Sequence, residues 1–110
     1  MEHSVREEGK TVIVGVSGDI DLESSPEARR VLLAEVDKGS PVLVDMSGVS
    51  YIDSSGVASL VESLQMARAK GGDFALAAVS ESALRVLQLA RLDKVFTIHD
   101  TIEDGLADDG

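Results

Sequence analysis

One strand-to-helix segment, residues 42–69, limits the folds open to this chain more than any other feature. It begins with Val42-Leu43-Val44, an aliphatic run typical of a buried strand. The residues that follow predict a short crossing loop, and Asp53-Ser54-Ser55-Gly56 then supply the polar and small residues that begin a helix. The predicted helix carries apolar residues on one face: Val57, Leu60, Val61, Leu64 and Ala67. A buried strand followed by an amphipathic helix is the repeating unit of α/β folds.

The rest of the chain alternates in the same way. The polar stretch from His3 to Glu8 predicts at most an edge strand or a frayed terminus. Serine, proline and glutamate at 24–27 predict a helix start, and Lys38-Gly39 predicts its end. Further strands are predicted at 11–17, 74–79 and 95–98, and further helices from Ser80 or Ser82 and over 101–106. This alternation predicts an α/β fold with a mixed sheet.

Length and charge set limits on domain number and partners. The 110 residues predict one domain spanning 1–110, with a core made of aliphatic residues because aromatics are only 3% of the chain. The net charge of -10 opposes direct binding to nucleic acid. The acidic residues are concentrated near the C-terminus, where residues 100–110 predict an acidic tail that is either solvated or contacts a basic partner.

The absence of cysteine and the short apolar runs indicate the cellular compartment of the protein. The chain has no cysteine, so it has neither a disulfide nor a thiolate site. Its apolar runs are far shorter than the roughly 20 residues that cross a bilayer, and we expect no membrane insertion. These features predict a cytoplasmic protein.

Enzyme chemistry finds little support in the sequence. A serine hydrolase needs a nucleophile motif such as G-x-S-x-G and a histidine base, but Gly48-Val49-Ser50-Tyr51-Ile52 lacks the last glycine. The two histidines, His3 and His99, are far apart in the chain. The glycines do not follow the spacing of a nucleotide-binding loop. We therefore expect no catalytic residue and no cofactor.

Three aspartates are candidate metal ligands. Asp19, Asp21 and Asp53 would offer carboxylate oxygens if their loops converged, but no EF-hand spacing is present. Turn and helix-cap roles explain the same residues, and we expect no metal site. The remaining functional class for this protein is a binding module.

Four segments of the chain are similar to one family. Gly18-Asp19-Ile20-Asp21 follows the first long strand, and the segment from Val44 to Gly56 contains Asp53-Ser54-Ser55-Gly56. Gly71-Gly72 and the segment 90–96 come later in the chain. Together they resemble the STAS domain, the fold of bacterial anti-sigma factor antagonists, over nearly the whole chain. The resemblance implies a single STAS-like domain with a mixed sheet of four or five strands and helices packed mainly on one face.

The resemblance also implies a mechanism. Ser54 matches the serine that is phosphorylated by a serine kinase, and this kinase doubles as the anti-sigma factor. The unphosphorylated domain would bind the kinase and release its sigma factor, and a phosphatase would reset this partner switch. The expected function is thus phosphorylation-controlled regulation of transcription.

Six further residues are predicted to form the partner-binding surface around Ser54: Gly18, Asp19, Asp21, Asp53, Ser55 and Gly56. Ser55 is expected to cap or pack within the first turn, and Gly56 to allow the close approach of a loop or a partner backbone. Asp21 and Asp53 are expected to orient Ser54 or its kinase complex, although Asp53 is equally well explained as the N-cap.

Two other functions stay open at this point. Free-standing domains of this kind also serve as regulatory subunits of ABC-type lipid transporter ATPases, where the serine would be structural. A small hydrolase or metal-dependent enzyme is the other class, against which the missing histidine and ligand patterns argue. Whether the domain forms a homodimer is also left open.

Overall fold

The computed structural model describes residues 1–109, with side chains through residue 107. Strands and helices alternate along most of this range. The strands are β1 (Glu2–Glu8), β2 (Thr11–Ile20), β3 (Val42–Ile52), β4 (Phe74–Ala77) and β5 (Thr97–His99). The helices are α1 (Ser25–Asp37), α2 (Ser54–Ala69), α3 (Glu81–Leu89) and α4 (Ile102–Asp109).

All five strands form one mixed sheet in the order β1-β2-β3-β4-β5. The exposed strand β1 pairs antiparallel with β2 at one edge, and the later strands are mutually parallel. Each parallel pair is joined by a helix, as parallel strands require. The architecture confirms the predicted α/β fold with a mixed sheet, and it resolves the expected four or five strands as five.

The larger core lies between the sheet and the helices α1, α2 and α3. Alternate residues of the central strands point into it, including Val14, Val44 and Leu76, none of which is accessible to solvent. The helices contribute the apolar stripes predicted from the sequence, such as Leu32 of α1 and Leu60 of α2. Their burial on one face confirms that the helices pack mainly on one side of the sheet.

The last helix covers part of the opposite face. Ile13, Leu43 and Ala77 form a smaller cluster there, against which Ile102 and Leu106 of α4 pack. Gly105 sits so close to the sheet that an added Cβ would lie 2.7 Å from a methyl of Leu43. Much of the predicted acidic tail is therefore a packed helix. The side chains of Asp108 and Asp109, and all of Gly110, lie outside the described residues.

Some of the predicted element bounds were wrong. Strand β4 ends at Ala77 rather than at residue 79, and β5 covers Thr97–His99 rather than 95–98. The segment between Val44 and Asp53 was expected to be a crossing loop, but β3 continues through it to Ile52. Its pairing with β2 shifts by one residue in two places, between Gly15 and Ser17 and between Gly18 and Asp19. Such bulges insert an extra residue into one strand and increase its bend and twist. Strand β2 also extends further than predicted, to Ile20.

Candidate functional site

The carboxyl ends of β2 and β3 lie side by side, because Ile20 and Ile52 are paired in the parallel ladder. Helices α1 and α2 begin just beyond these strand ends. In open α/β sheets this is the edge at which ligands and partners bind. All seven predicted site residues lie at this edge, near the end of β2, in the turn before α1 or at the start of α2.

Asp53 is the N-cap of α2. Its backbone is extended, with φ -107° and ψ -173°, and its carboxylate accepts hydrogen bonds from the backbone N–H groups of Ser55 and Gly56 at 2.9 and 3.1 Å. The cap thus satisfies two of the N–H groups that a helix start leaves free. Of the two roles open for Asp53, the structure shows the cap.

Ser54 is the first residue of α2 and is exposed to solvent. Because Asp53 supplies the cap, the Ser54 hydroxyl is not needed for it. Within the part of the chain that the structure describes, that hydroxyl forms no hydrogen bond. Ser54 therefore presents an accessible hydroxyl at the positive end of the helix dipole, where a negative charge is favourable.

Gly56 is where the first turn of α2 touches the sheet. A Cβ on this residue would lie 2.6 Å from Ile52 Cγ1 and 2.7 Å from the carbonyl oxygen of Ile20. The Asp53 N–H also donates to that carbonyl, at 3.2 Å. The close approach expected at Gly56 is therefore to the protein's own strand β2, and it holds Ser54 at a fixed place on the edge.

Asp21 serves a separate turn at the start of α1. Its carboxylate accepts hydrogen bonds from the backbone N–H groups of Glu23 and Ser24 at 3.1 Å and from the Ser24 hydroxyl. The Ser24 bonds, from backbone and then side chain, lower the pKa of Asp21 below its ordinary value. The carboxylate is engaged within its own loop, and the role of Asp21 in orienting Ser54 or its kinase complex stays a prediction.

Gly18 and Asp19 lie on β2 just before this turn. Gly18 has φ +82°, a left-handed conformation that glycine adopts without strain. The exposed Asp19 pairs with Tyr51 in the β2–β3 ladder, and its carbonyl oxygen accepts from the Ser24 hydroxyl at 2.8 Å. These two residues shape the edge around Ser54, with no contact to Ser54 itself among the described hydrogen bonds.

A groove of about 360 Å³ runs between α1 and α2, from their first turns to Arg29 and Glu62. Ser55 lines it from α2, together with Ala58 and Glu62, and Pro26 and Arg29 line it from α1. The Arg29 guanidinium pairs with the Glu62 carboxylate across the groove. Ser55 is half-buried in this lining, so its role is packing beside the groove rather than capping, which Asp53 performs.

Sequence reasoning missed two exposed apolar residues at the same edge. Leu22, in the turn before α1, is 73% exposed, and Tyr51, just before the end of β3, is 50% exposed. Both side chains are accessible to a partner that docks at the edge carrying Ser54. Leu22 lies next to Asp21 in the sequence, but nothing in the pattern distinguishes it from a core leucine.

The described residues hold no group of three or more His, Cys, Asp or Glu side chains arranged to bind a metal ion. Asp21 and Asp53 are engaged in the turn and the cap. Across the described range, no helix combines the length and the apolar character needed to cross a bilayer.

Comparison with known proteins identifies the family. The family model described as the STAS domain matches residues 2–105. The chain belongs to the STAS domain family. Membership confirms the family predicted from the segments around Gly18 and Ser54.

Two relatives that match most of the chain are both named as anti-sigma antagonists. The Anti-sigma-B factor antagonist of Bacillus subtilis (strain 168) is 28% identical over 102 residues, which cover 93% of this chain and 94% of that protein. The crystal structure of an anti-sigma factor antagonist from Mycobacterium paratuberculosis is 27% identical, covers 96% of this chain and 91% of its own, and superposes with a TM-score of 0.87.

The same fold occurs in the anti-sigma factor antagonist SpoIIAA. Its unphosphorylated form is 18% identical, with a TM-score of 0.79 and coverage of 96% of this chain and 93% of its own. The phosphorylated form of this Bacillus protein is 19% identical, with a TM-score of 0.76 and coverage of 99% and 100%. STAS anti-sigma factor antagonists are regulatory binding proteins, which confirms the prediction that this chain is not an enzyme.

Proposed function

We propose that this STAS protein is a phosphorylation-controlled partner switch. In its unphosphorylated form it binds a serine-kinase anti-sigma factor, and the sigma factor held by that kinase is released. Phosphorylation of Ser54 by the kinase ends the binding, and a phosphatase restores it. The observation that carries the proposal is the exposed Ser54 hydroxyl, which the Asp53 cap leaves outside the hydrogen bonding of the first turn of α2.

A local switch follows from this geometry. A phosphate on Ser54 would add about 1.5 to 2 negative charges at pH 7. Since Asp53 caps the helix, the added group displaces no described hydrogen bond, and the helix dipole favours it. The occurrence of the same fold in unphosphorylated and phosphorylated SpoIIAA supports a switch that needs no refolding.

A docked partner would respond strongly to the new charge. A partner carboxylate about 5 Å from the phosphate would be repelled by roughly 3 kcal/mol per charge pair at an effective dielectric constant near 20, before salt screening. Half of that energy already corresponds to about a tenfold loss of affinity. Electrostatic repulsion is therefore sufficient to separate the two states.

The partner surface that we propose surrounds Ser54 at the carboxyl edge of the sheet. It contains the residues predicted from the sequence and the two exposed apolar side chains of Leu22 and Tyr51. Apolar contacts of this kind supply affinity at the centre of an interface, whereas Ser54 supplies control. We further propose that residues 1–110 act as one domain and that the protein works in the cytoplasm.

The proposal is tested first in cells of the source organism. Intact-mass and peptide mass spectrometry, under conditions that preserve phosphate, should find one phosphate on Ser54. Ser54→Ala should abolish it, and the matched variant Ser55→Ala should retain it. A purified serine-kinase anti-sigma factor from the same organism should bind wild type and Ser54→Ala alike, and Ser54→Asp at least about tenfold more weakly.

Two results would overturn the switch. Equal affinity of the kinase for wild type and Ser54→Asp would contradict the electrostatic control. Absence of phosphate in every growth condition, together with co-purification of a transporter ATPase, would instead assign the chain to the transporter-subunit class and leave Ser54 as a residue of the helix start.

A further inference from the structure

We infer that Arg29 is the residue that receives the phosphate of Ser54, by exchanging its partner Glu62 for the phosphate. This inference rests on the proposed function, since it assigns a role in the phosphorylated state. The geometry that points to it is the groove between α1 and α2, in which Arg29 is the basic residue of the lining and Ser55, the neighbour of Ser54, lies at the α2 start.

Arg29 lines the same groove as Ser55, which belongs to the first turn of α2. Arg29 lies one turn into α1, on the face that also presents Pro26 to the groove. Glu62 lies eight residues beyond Ser54, about 12 Å along the axis of α2. Helical side chains lean toward the N-terminus of their own helix, and α1 and α2 both begin at the edge that carries Ser54. A side chain of the length of arginine that starts at residue 29 therefore leans toward the Ser54 end of the groove.

The existing ion pair is easily exchanged. The side chains of Arg29 and Glu62 are 56% and 45% exposed, and pairs this open to solvent contribute little to stability. A phosphate offers up to twice the charge of a carboxylate and three acceptor oxygens that the planar guanidinium can bind in pairs. It would also sit at the start of α2, where the helix dipole adds to its attraction.

The exchange extends the effect of the phosphate along α2. Once Arg29 turns to the phosphate, the carboxylate of Glu62 is left without its partner across the groove. A protein docked on this edge would then meet a new negative charge two helical turns from Ser54 in addition to the phosphate. Arg29 is thus a positioning residue that enlarges the surface altered by one modification.

The test installs phosphoserine at position 54 by amber-codon suppression, so that it needs no kinase. A ³¹P NMR titration then measures the second pKa of the phosphate, ordinarily about 6, in three proteins: the otherwise unchanged chain, Arg29→Gln and Arg30→Gln. Arg30 is the matched control, because it is the next residue of α1 and pairs with Glu27 rather than Glu62.

The expected result is a phosphate pKa raised by roughly half a unit or more in Arg29→Gln, and by much less in Arg30→Gln. Arg29→Lys should recover part of the effect, because it keeps the charge but loses the planar fork. A shift in Arg29→Gln no larger than that in Arg30→Gln would overturn the inference. The proposed function would survive that result, since it depends on phosphorylation by the kinase and not on Arg29.

Discussion

The first turns of α1 and α2 begin at the same edge of the sheet and use the same residue types in different ways. At α1, Ser24 is the N-cap, but its hydroxyl forms no cap bond to the helix. It accepts from the Asp21 N–H at 2.9 Å and is bonded to the Asp19 carbonyl and the Asp21 carboxylate. At α2, Asp53 is the N-cap, and the hydroxyl of Ser54 lies outside the hydrogen bonding.

The two turns differ in whether the serine hydroxyl takes part in the hydrogen bonds that hold the turn. In the α1 turn the serine hydroxyl is part of the turn, so a phosphate there would remove bonds that hold Asp19, Asp21 and Ser24 together. In the α2 turn the Asp53 carboxylate accepts the capping hydrogen bonds, and the Ser54 hydroxyl takes no part in them. A regulated hydroxyl at a helix start requires that another residue make the cap.

The largest effect that separates the two turns should come from Gly56→Ala. The new methyl group would meet Ile52 Cγ1 and the Ile20 carbonyl oxygen at less than 3 Å, and the second of these is backbone that cannot rotate away. We expect a loss of about 2 to 3 kcal/mol in the free energy of unfolding, measured by urea denaturation. Glu27→Ala, at the third position of α1, is the control and should cost about 0.5 kcal/mol or less. Similar losses in the two variants would contradict the packing described for α2.

The second largest loss of stability should follow from removing the N-cap of α2. Asp53→Ala leaves the N–H groups of Ser55 and Gly56 without their acceptor. The expected cost is about 1 kcal/mol, again in the free energy of unfolding. Asp53→Asn keeps an acceptor oxygen in place and should retain most of the stability. If Asp53→Ala were neutral, the capping role would have to pass to another group.

Replacing Ser24 and replacing Ser54 should change the free energy of unfolding by different amounts. Ser24→Ala removes hydrogen bonds that close the α1 turn and should cost about 1 kcal/mol. Ser54→Ala removes none that the described residues form and should change stability by less than about 0.5 kcal/mol. Chemical denaturation of both variants, side by side, gives the comparison. An equal cost would mean that Ser54 also has a structural role.

The smallest effect should be a dependence of stability on pH that Asp21 of the α1 turn contributes. Hydrogen bonds from Ser24 lower the pKa of Asp21 in the folded protein. Its contribution to stability is therefore present above the ordinary aspartate pKa of about 3.9 and is lost as pH falls through the lower folded value.

Asp21→Asn removes this titration. The stability difference between wild type and Asp21→Asn should be constant from pH 7 to about pH 5 and should shrink below about pH 4. Thermal unfolding measured across this range tests the expectation. A difference that stayed constant down to the lowest pH would show that the Ser24 bonds do not favour the charged carboxylate.

Features governed by neighbours in the sequence were predicted well. Helix starts depend on a few adjacent residues, so the α2 start at Asp53-Ser54 and the α1 start near Ser24 followed from the sequence. The apolar stripe of α2 also determined its buried face, because Leu60 and Leu64 recur at helical spacing. The family resemblance located the candidate serine.

Features governed by tertiary pairing were not predicted. In β3 the residues that face the larger core after Val44 are Met46, Val49 and Ile52, and the spacing of three hides the alternation of a strand. The Arg29–Glu62 pair joins residues 33 positions apart, so no local pattern contains it. Asp21 and Asp53 each accept from the backbone N–H groups two and three residues later, but only the pairing of Ile20 with Ile52 brings their two turns to the same edge.

The two bulges between β2 and β3 have a consequence for how serines are matched between relatives. They add two residues to β3 between its pairing with Gly15 and its pairing with Ile20. Ser54 and Ser55 are identical neighbours, so an alignment with one gap more or one gap fewer within 46–52 matches Ser55 in place of Ser54. The strand pairing decides which serine of a relative corresponds to Ser54. Because Ile20 pairs with Ile52, the residue two positions after the partner of Ile20 is the one that matches Ser54.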